Sequence, residues 1–366
     1  MTPDTSAPDS WYAAPGAEDD VALSTRLQLA RNLANFPFPE RERGDDGERV
    51  LSLVFDAFAH LDDPDQYQAN RLDRLTPLRR KLLVERGFIP ETPNPQIVSG
   101  IVLKTDGRVV CTVNSVDHLR IAAFAAGLNP DEVWRLCSGL DAEMQKTLQF
   151  AASYDMGFLT ASLFDAGSGM CASVYVHLPA TELTGHDALN DMLVSVNQRG
   201  FGAEACFGPG PQGLPLGSYY RIRNLNSLDG SEFDQMASLT AVTKYAADME
   251  RNFRAAIRKS MPTSLRDRVY RAFAAVKYSR FLEEKECVTL ISDIKLGKDT
   301  GIITGVEYCA LGALFYRLKN AHLELIIRSG NFAFESDVEA TDDLKVRRMR
   351  ALIVQEALEN IQIVTG

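Results

Sequence analysis

The chain has 366 residues, 45% of them hydrophobic and 24% charged, and a formal net charge of −10 at pH 7. This length suits two globular domains, and the negative charge argues against broad binding to nucleic acid or to anionic membranes. The chain contains no run of about 18 apolar residues, so no membrane-spanning helix is predicted. Its six cysteines form no Cys-x-x-Cys pair, the spacing that would indicate a zinc site or a disulfide framework. We therefore expect a cytoplasmic protein with reduced thiols and no metal site.

The first two thirds of the chain predict strands mixed with helices. Residues 1–20 are rich in Pro, Ser, Asp and Ala, which predicts a mobile segment. Asp106-Gly107 is typical of a hairpin turn, and Asn129-Pro130 of a helix N-cap and first turn. Together with apolar periodicity, these signals predict helices at 48–60, 76–86, 129–150 and 187–198, strands at 97–103, 109–113, 158–163, 172–178 and 219–223, and a glycine- and proline-rich loop at 202–217.

From residue 231 onward the pattern is mostly helical. A long amphipathic pattern at 233–259 is interrupted by Met261-Pro262. Further helices are predicted at 264–286, 287–296, 306–317 and 343–361. Strands and helices followed by helices alone indicate an α+β fold, with one domain at 21–260 and an all-helical domain at 261–366.

Several motifs, in the same order along the chain, point to one protein family. Two are the most informative: Ser24-Thr25-Arg26-Leu27-Gln28-Leu29-Ala30-Arg31 and Asn114-Ser115-Val116-Asp117-His118-Leu119-Arg120. Supporting segments are Asp9-Ser10-Trp11, Gly157-Phe158-Leu159-Thr160, His177-Leu178-Pro179-Ala180, Arg199-Gly200-Phe201-Gly202-Ala203-Glu204 and the helical stretch at 267–297. This set resembles the ATP:guanidino phosphotransferases, and most closely their bacterial protein-arginine kinase branch.

The resemblance implies a fold and a reaction. The fold is an antiparallel β-sheet flanked by helices, of the glutamine-synthetase-like kind, followed by the helical domain that marks the protein-arginine kinases. The family reaction transfers a phosphoryl group from Mg-ATP to a protein arginine, forming N-phospho-arginine. Family members commonly form homodimers, so we expect a homodimer here.

On the nucleotide side, the resemblance implies an arginine ring around the phosphates, because guanidinium forks bind phosphate oxygens bidentately. The matching residues are Ser24, Arg26, Arg120 and Arg199. At three other family positions the expected side chain is replaced, by Gln28, Gly87 and Cys171. Each lost arginine contact removes about 1.5–3 kcal/mol of charge-assisted hydrogen bonding.

On the acceptor side, the family uses two adjacent glutamates that act on the guanidinium to be phosphorylated. Ser115 and Val116 stand at those positions, and neither can carry a negative charge. Glu204 and Asp117 remain as candidate catalytic carboxylates. A guanidinium with a pKa above about 12 is a poor nucleophile unless a carboxylate orients it.

Several of these residues also have structural interpretations. Asp117 is expected to pair with Arg120, and His118 to be a partly buried histidine rather than a nucleotide ligand. A basic cluster that includes Arg347 and Arg348 resembles, in degraded form, the family's phosphoarginine-binding motif. The alternative for this cluster is a solvated helix face.

Two functional hypotheses follow from the resemblance. In the first, the protein is a pseudokinase or regulatory binding subunit in protein quality control. It would pair with an active arginine kinase, recognise a phosphoarginine-bearing protein, or deliver clients to a Clp-type protease. In the second, it phosphorylates protein arginines with Mg-ATP, and Glu204 or Asp117 replaces the missing glutamates. Replacements on both substrate sides at once favour the first.

Overall fold

The computed structural model describes residues 11–91, 97–208, 215–228 and 230–364. Twelve strands occur in this part of the chain: β1 Ala22–Arg31, β2 Tyr67–Arg71, β3 Gly100–Lys104, β4 Val109–Val113, β5 Leu119–Ala126, β6 Ala152–Ser153, β7 Gly157–Phe158, β8 Met170–His177, β9 Phe201–Ala205, β10 Tyr219–Asn224, β11 Ile303–Thr304 and β12 Gln362–Ile363. Eight of them form one sheet in the order β2-β3-β4-β5-β1-β8-β10-β9.

Eleven α-helices accompany these strands in the described residues. They are α1 Asp46–Ala59, α2 Pro77–Glu85, α3 Pro130–Met144, α4 Pro179–Thr184, α5 His186–Gln198, α6 Glu232–Ser260, α7 Pro262–Tyr278, α8 Glu284–Asp299, α9 Tyr308–Arg317, α10 Asn320–Ser329 and α11 Asp342–Ala357. The α+β class and the helical C-terminal region agree with the prediction.

Strand β1 explains how the sheet presents its two faces. Successive side chains of a strand point to opposite faces, so Leu27 and Leu29 lie on one face while Arg26 and Gln28 lie on the other. The two leucines are fully buried. Helix α3 lies against this region, where the Cys137 thiol contacts the Leu27 carbonyl oxygen at 3.5 Å. The sequence alternation therefore turns Arg26 and Gln28 away from the core.

The chain divides into two compact units. The first comprises Met1–Trp11, Ser24–Val174 and Arg223–Ala241, and the second comprises Tyr12–Leu23, Tyr175–Ile222 and Val242–Gly366. The boundary predicted between residues 260 and 261 lies inside the second unit. The reason is local packing, since α4 and the turn at Leu216–Ser218 both contact α8 of the helical region.

The second unit has an extensive apolar core of its own. Buried aliphatic side chains from α7, α8, α9 and α11 meet there, among them Val269, Ile294, Leu311 and Val354. Burial of this kind contributes about 25 cal/mol per Å² of apolar surface, so the helices of this region are held mainly by packing.

Part of the segment predicted to be mobile is packed. Within the first unit, Trp11 is buried and stacks on Phe124 with ring centroids 5.5 Å apart. Within the second unit, Asp20 accepts hydrogen bonds from Arg251 and Arg254, at 2.5 Å and 2.9 Å respectively. Trp11 and Asp20 therefore make specific contacts with the fold, and mobility of the segment stays a prediction. Residues 1–10 lie outside the described residues, as do residues 209–214 of the predicted loop.

Among the described residues, no helix is both long enough and apolar enough to cross a membrane.

Candidate functional site

The paired strands β1 and β5 place two of the predicted phosphate-binding arginines on one face. The antiparallel register sets Arg26 opposite Phe124 and Arg120 opposite Ala30. Residues 26 and 30 of β1 share a face because they are an even number of positions apart. The two arginines therefore stand on the same face, with backbones about 13 Å apart along the strand. This spacing suits an extended anion better than a single phosphate group.

Arg120 is held between two carboxylates of its own unit. Its Nε and Nη2 lie 3.0 Å and 2.9 Å from Oδ2 of Asp117, and its Nη2 lies 3.2 Å from Oδ2 of Asp165. Burial raises the pKa of the Asp165 carboxyl, and the nearby Arg120 charge opposes that rise. No sequence motif singled out Asp165 as a partner of Arg120.

Asp117 is fully buried, and all its described partners are hydrogen-bond donors of the fold. Besides Arg120, its Oδ1 accepts from the Asn32 side-chain amide and from the Ala161 backbone N–H, each at 2.8 Å. One carboxylate thus joins β1, the start of β5 and the segment after β7. This arrangement suits a residue that positions Arg120 more than one that accepts a proton from a substrate.

The tight turn before β5 carries the two positions at which the family has glutamates. Asn114 adopts a positive φ of 51°. Its backbone N–H donates to the His118 carbonyl oxygen at 3.0 Å, which closes the turn. Ser115 is half-buried, and Val116 is 42% exposed. The tip of the turn therefore carries no charge at these two positions, and Val116 is accessible to solvent.

Arg26 is also engaged within its own unit. It donates to the Gln28 side-chain oxygen at 2.9 Å and to the Gly87 carbonyl oxygen at 3.1 Å, and it lies over the Phe124 ring. Two of the replaced positions, Gln28 and Gly87, are thus contacts of a retained arginine. Ser24, two residues earlier on β1, is buried.

His118 has a structural role, as the sequence reasoning favoured. Its Nδ1 accepts the Leu33 N–H at 2.9 Å, so the ring proton must sit on Nε2, which lies 2.9 Å from the Pro37 carbonyl oxygen. The side chain is fully buried. The imidazole contacts two backbone groups and lies 3.4 Å from Oε1 of Glu42, and it thereby fixes residues 33–37 against the start of β5.

Arg199 and Glu204 belong to the second unit. Arg199 donates to the Ser195 carbonyl oxygen at 2.7 Å and lies 4.3 Å from the Tyr245 ring centroid. Glu204 pairs with Arg221 at 2.7 Å, and its side chain is 46% exposed. Arg199 and Glu204 thus each contact another group of the protein. The same holds for Arg26, Arg120 and Asp117.

The glycine-rich loop at residues 165–169 is a structural feature of the first unit. A Cβ at Gly169, where φ is +67°, would lie 2.6 Å from the Ala30 carbonyl oxygen. The Ser168 hydroxyl donates to the Ser227 carbonyl oxygen at 3.2 Å. The backbone of β1 at Ala30 approaches Gly169 so closely that no side chain fits there, so this position requires glycine. Cys171 follows at the start of β8 and is half-buried, so a larger side chain there can reach solvent.

The basic cluster in α11 is paired with the chain's own carboxylates. Arg347 contacts Glu283 at 2.5 Å and Asp343 at 2.8 Å, while Arg348 contacts Glu335 at 3.1 Å. Arg350 is buried and donates to the carbonyl oxygens of Leu282 and Leu318, at 2.7 Å and 2.9 Å. The cluster is therefore neither a solvated face throughout nor an exposed anion site in this state.

Within the described residues, no group of three or more His, Cys, Asp or Glu side chains is arranged to hold a metal ion.

Substitution of Asp117 tests its positioning role. We expect Asp117→Ala to lower the free energy of unfolding by about 3–5 kcal/mol, because Asn32, Ala161 and Arg120 all lose the buried carboxylate to which they donate, although Arg120 keeps Asp165. Asp165→Asn removes the second carboxylate beside Arg120 at a partly exposed position and is expected to cost less than about 1 kcal/mol. Urea unfolding of both variants measures the difference. Equal losses would contradict the assignment.

Comparison with known proteins identifies relatives of both parts of the chain. Residues 49–253 match the family model described as ATP:guanido phosphotransferase, C-terminal catalytic domain, and residues 262–363 match the model described as protein-arginine kinase McsB C-terminal domain. A protein-arginine kinase of Halothermothrix orenii is 32% identical over 338 residues, covering 92% of this chain and 95% of its own length. One of Desulforamulus reducens is 31% identical over 357 residues, covering 96% of each.

Solved structures share the fold. A lombricine kinase superposes with a TM-score of 0.57 at 22% identity, covering 70% of this chain and 72% of its own. The duplicated taurocyamine kinase of Schistosoma mansoni gives 0.57 at 19% identity, over 68% of this chain and 36% of its own. At these identities the likeness concerns the fold alone.

Proposed function

This chain belongs to the ATP:guanido phosphotransferase family, on its protein-arginine kinase side, and from this membership we propose that it is a pseudokinase. The family reaction makes N-phospho-arginine from Mg-ATP and a protein arginine. In this proposal the protein has lost most of that activity and acts as a regulatory binding subunit in protein quality control.

The observation that carries the proposal is the pairing of Arg120 with Asp117 and Asp165. Polyphosphate binding depends on guanidinium donors that point at phosphate oxygens. Here the donors of Arg120 point at carboxylates 2.9–3.2 Å away. A phosphate entering this site would meet the negative charge of Asp165 and would have to replace it at the guanidinium. The described residues of the first unit therefore fit Mg-ATP poorly in this arrangement.

The acceptor side supports the same proposal. Ser115 and Val116 offer no carboxylate to orient a guanidinium. For catalysis by the second hypothesis, Asp117 or Glu204 would have to do so. Asp117 is fully buried among the donors described above, and Glu204 is paired with Arg221. Each would need to exchange a protein partner for the substrate.

The proposed role has partners of defined chemistry. We propose a cytoplasmic homodimer that binds an active arginine kinase or a phosphoarginine-bearing protein and works with Clp-type protease machinery. The cluster of Arg347 and Arg348 is the candidate contact for phosphoarginine. Its guanidinium groups would exchange Glu283, Asp343 and Glu335 for the phosphoryl oxygens.

Phosphoryl transfer tests the proposal directly. The protein is incubated with γ-labelled Mg-ATP and an arginine-rich protein, beside a family member with both glutamates as positive control. We expect no acid-labile label above background. Label that disappears in Arg120→Ala but persists in Arg135→Ala, a surface control, would overturn the pseudokinase proposal and establish the active-enzyme alternative.

A further inference from the structure

Three aromatic rings in the second unit pack against one another, and two of them, Phe207 and Phe315, lie near a lysine ammonium. The rings of Phe207, Tyr219 and Phe315 lie 5.2–6.0 Å from one another, centroid to centroid. Nζ of Lys319 lies 4.4 Å from the Phe207 centroid and 6.0 Å from that of Phe315. Both distances are within the range in which a cation is attracted to a ring face.

A carboxylate and an apolar floor complete the recess around these rings. Oε1 of Glu284 lies 3.1 Å from Nζ of Lys319. Aliphatic side chains line the floor, namely Val288, Ile291, Leu314 and Leu318. Lys319 and these side chains line a cavity of about 20 Å³, which is room for about one water molecule. The recess thus matches one long side chain with an aliphatic stem and a positive end.

We propose that this recess, formed by Phe207, Tyr219, Phe315 and Glu284, is a binding site for a lysine side chain of a partner protein. In the unbound protein, Lys319 occupies the site in place of the partner's lysine. The recess already holds an alkyl stem and an ammonium from the chain itself, and this occupant identifies the chemistry of the ligand.

The position of Lys319 makes the exchange feasible. Lys319 lies between the end of α9 and the start of α10, and its side chain is 18% exposed. The exchange is close to balanced, because a partner's lysine would remake with Glu284 and Phe207 the contacts that Lys319 gives up. The net charge of −10 attracts cationic partners. An acidic side chain would instead face Glu284 and be repelled.

Removal of the internal competitor tests the proposal. Lys319→Ala and Lys319→Gln are titrated, beside the unaltered protein, with N-acetyl-L-lysine amide and with its uncharged analogue N-acetyl-L-norleucine amide, followed by NMR. We expect the lysine amide to bind both variants at least about tenfold more tightly than the unaltered protein. Adding Glu284→Gln should return its affinity to that of the norleucine amide.

Three outcomes would overturn the proposal. The first is equal affinity of the two amides for the Lys319 variants, which would make the recess a purely apolar site. The second is no gain in affinity in either variant while the melting temperature stays that of the unaltered protein. The third is tighter binding of N-acetyl-L-glutamate amide than of the lysine amide.

Discussion

Replacing Gln28 and Cys171 by arginine, together with Ser115→Glu and Val116→Glu, is expected to increase the affinity for ATP at least about a hundredfold. Two bidentate contacts at about 1.5–3 kcal/mol each account for this gain if their contributions add. The substituted positions suit charged side chains. Gln28, Cys171 and Ser115 are partly exposed and Val116 is exposed, so none of the new charges is fully buried.

Of the four substitutions, Gln28→Arg is expected to contribute most to ATP affinity, because residue 28 contacts Arg26. Gln28 now accepts a hydrogen bond from Arg26 at 2.9 Å. Gln28→Arg removes that acceptor and places a second positive charge on the same strand face. Two neighbouring guanidinium groups repel each other until an anion binds between them. The substitution therefore adds one phosphate-binding guanidinium group and frees that of Arg26 from its contact with Gln28.

Calorimetric titration with Mg-ATP measures the gain, and the labelling experiment measures turnover. A matched control carries Gln28→Lys and Cys171→Lys with the same glutamates. Lysine restores the charge without the planar fork, so its gain is expected to be smaller. Adding Asp165→Asn should increase affinity further by relieving Arg120 of one carboxylate. A folded four-position variant that binds ATP no better than the unaltered protein would show that the site has been mapped wrongly.

Arg31→Met is expected to lower the free energy of unfolding by about 3–5 kcal/mol, because it leaves a buried carboxylate without its partner. Nε and Nη2 of Arg31 lie 2.9 Å and 3.1 Å from the two oxygens of Asp141, and both side chains are buried. Arg31 also donates to the Ser168 carbonyl oxygen and lies 3.6 Å from the Phe158 centroid. One guanidinium thus joins β1, α3 and the glycine-rich loop.

Urea unfolding separates the cost of the orphaned charge from the cost of lost packing. Adding Asp141→Leu to Arg31→Met removes the unpaired charge and should recover part of the loss. Arg135 on α3 provides the surface control, since its pair with Glu132 is 2.9 Å long while its side chain is 67% exposed. Arg135→Met is expected to cost less than about 1 kcal/mol. A similarly small loss for Arg31→Met would contradict the prediction.

The sequence predicted the helices better than the strands, for physical reasons. Helices α1, α2, α5 and α6 carry local signals, such as the N-cap of α2, where the Thr76 hydroxyl accepts the Arg79 N–H. Strand β5 was missed because it is rich in alanine, and its burial depends on β1 and β4 rather than on its own pattern. Helix α10 was also missed.

Two local predictions were wrong, one because of apolar residues and the other because of glycines. Residues 158–163 were predicted as a strand, but β7 ends at Phe158 and the chain then turns. Leu163 and Phe164 are more than 70% exposed, so these apolar side chains do not belong to the core. Strand β9, Phe201–Ala205, overlaps the start of the region predicted as a loop at 202–217, whose glycines suggested only turns.

For the candidate site, the sequence identified the replaced side chains but not their contacts. Asp165 and Arg120 are 45 positions apart, and Arg31 and Asp141 are 110 apart. Pairings at such separations depend on how the strands are ordered in the sheet, which periodicity and local propensity do not encode. The sequence did predict the pairing of Asp117 with Arg120, which are three positions apart, and the structure confirms it. The distant partners became visible only in the fold.

The ion pairs of Asp20 also bear on how the chain folds as it is made. Asp20 pairs with Arg251 and Arg254, which follow it by 231 and 234 positions, and its carbonyl oxygen accepts from Lys295. A ribosome adding about 5–20 residues per second needs roughly 10–50 s to reach Arg251 from Asp20. Throughout that interval the segment just before β1 lacks these partners. The second unit can therefore close only late in synthesis, and slow translation of its helices would prolong the exposure of the nascent N-terminus.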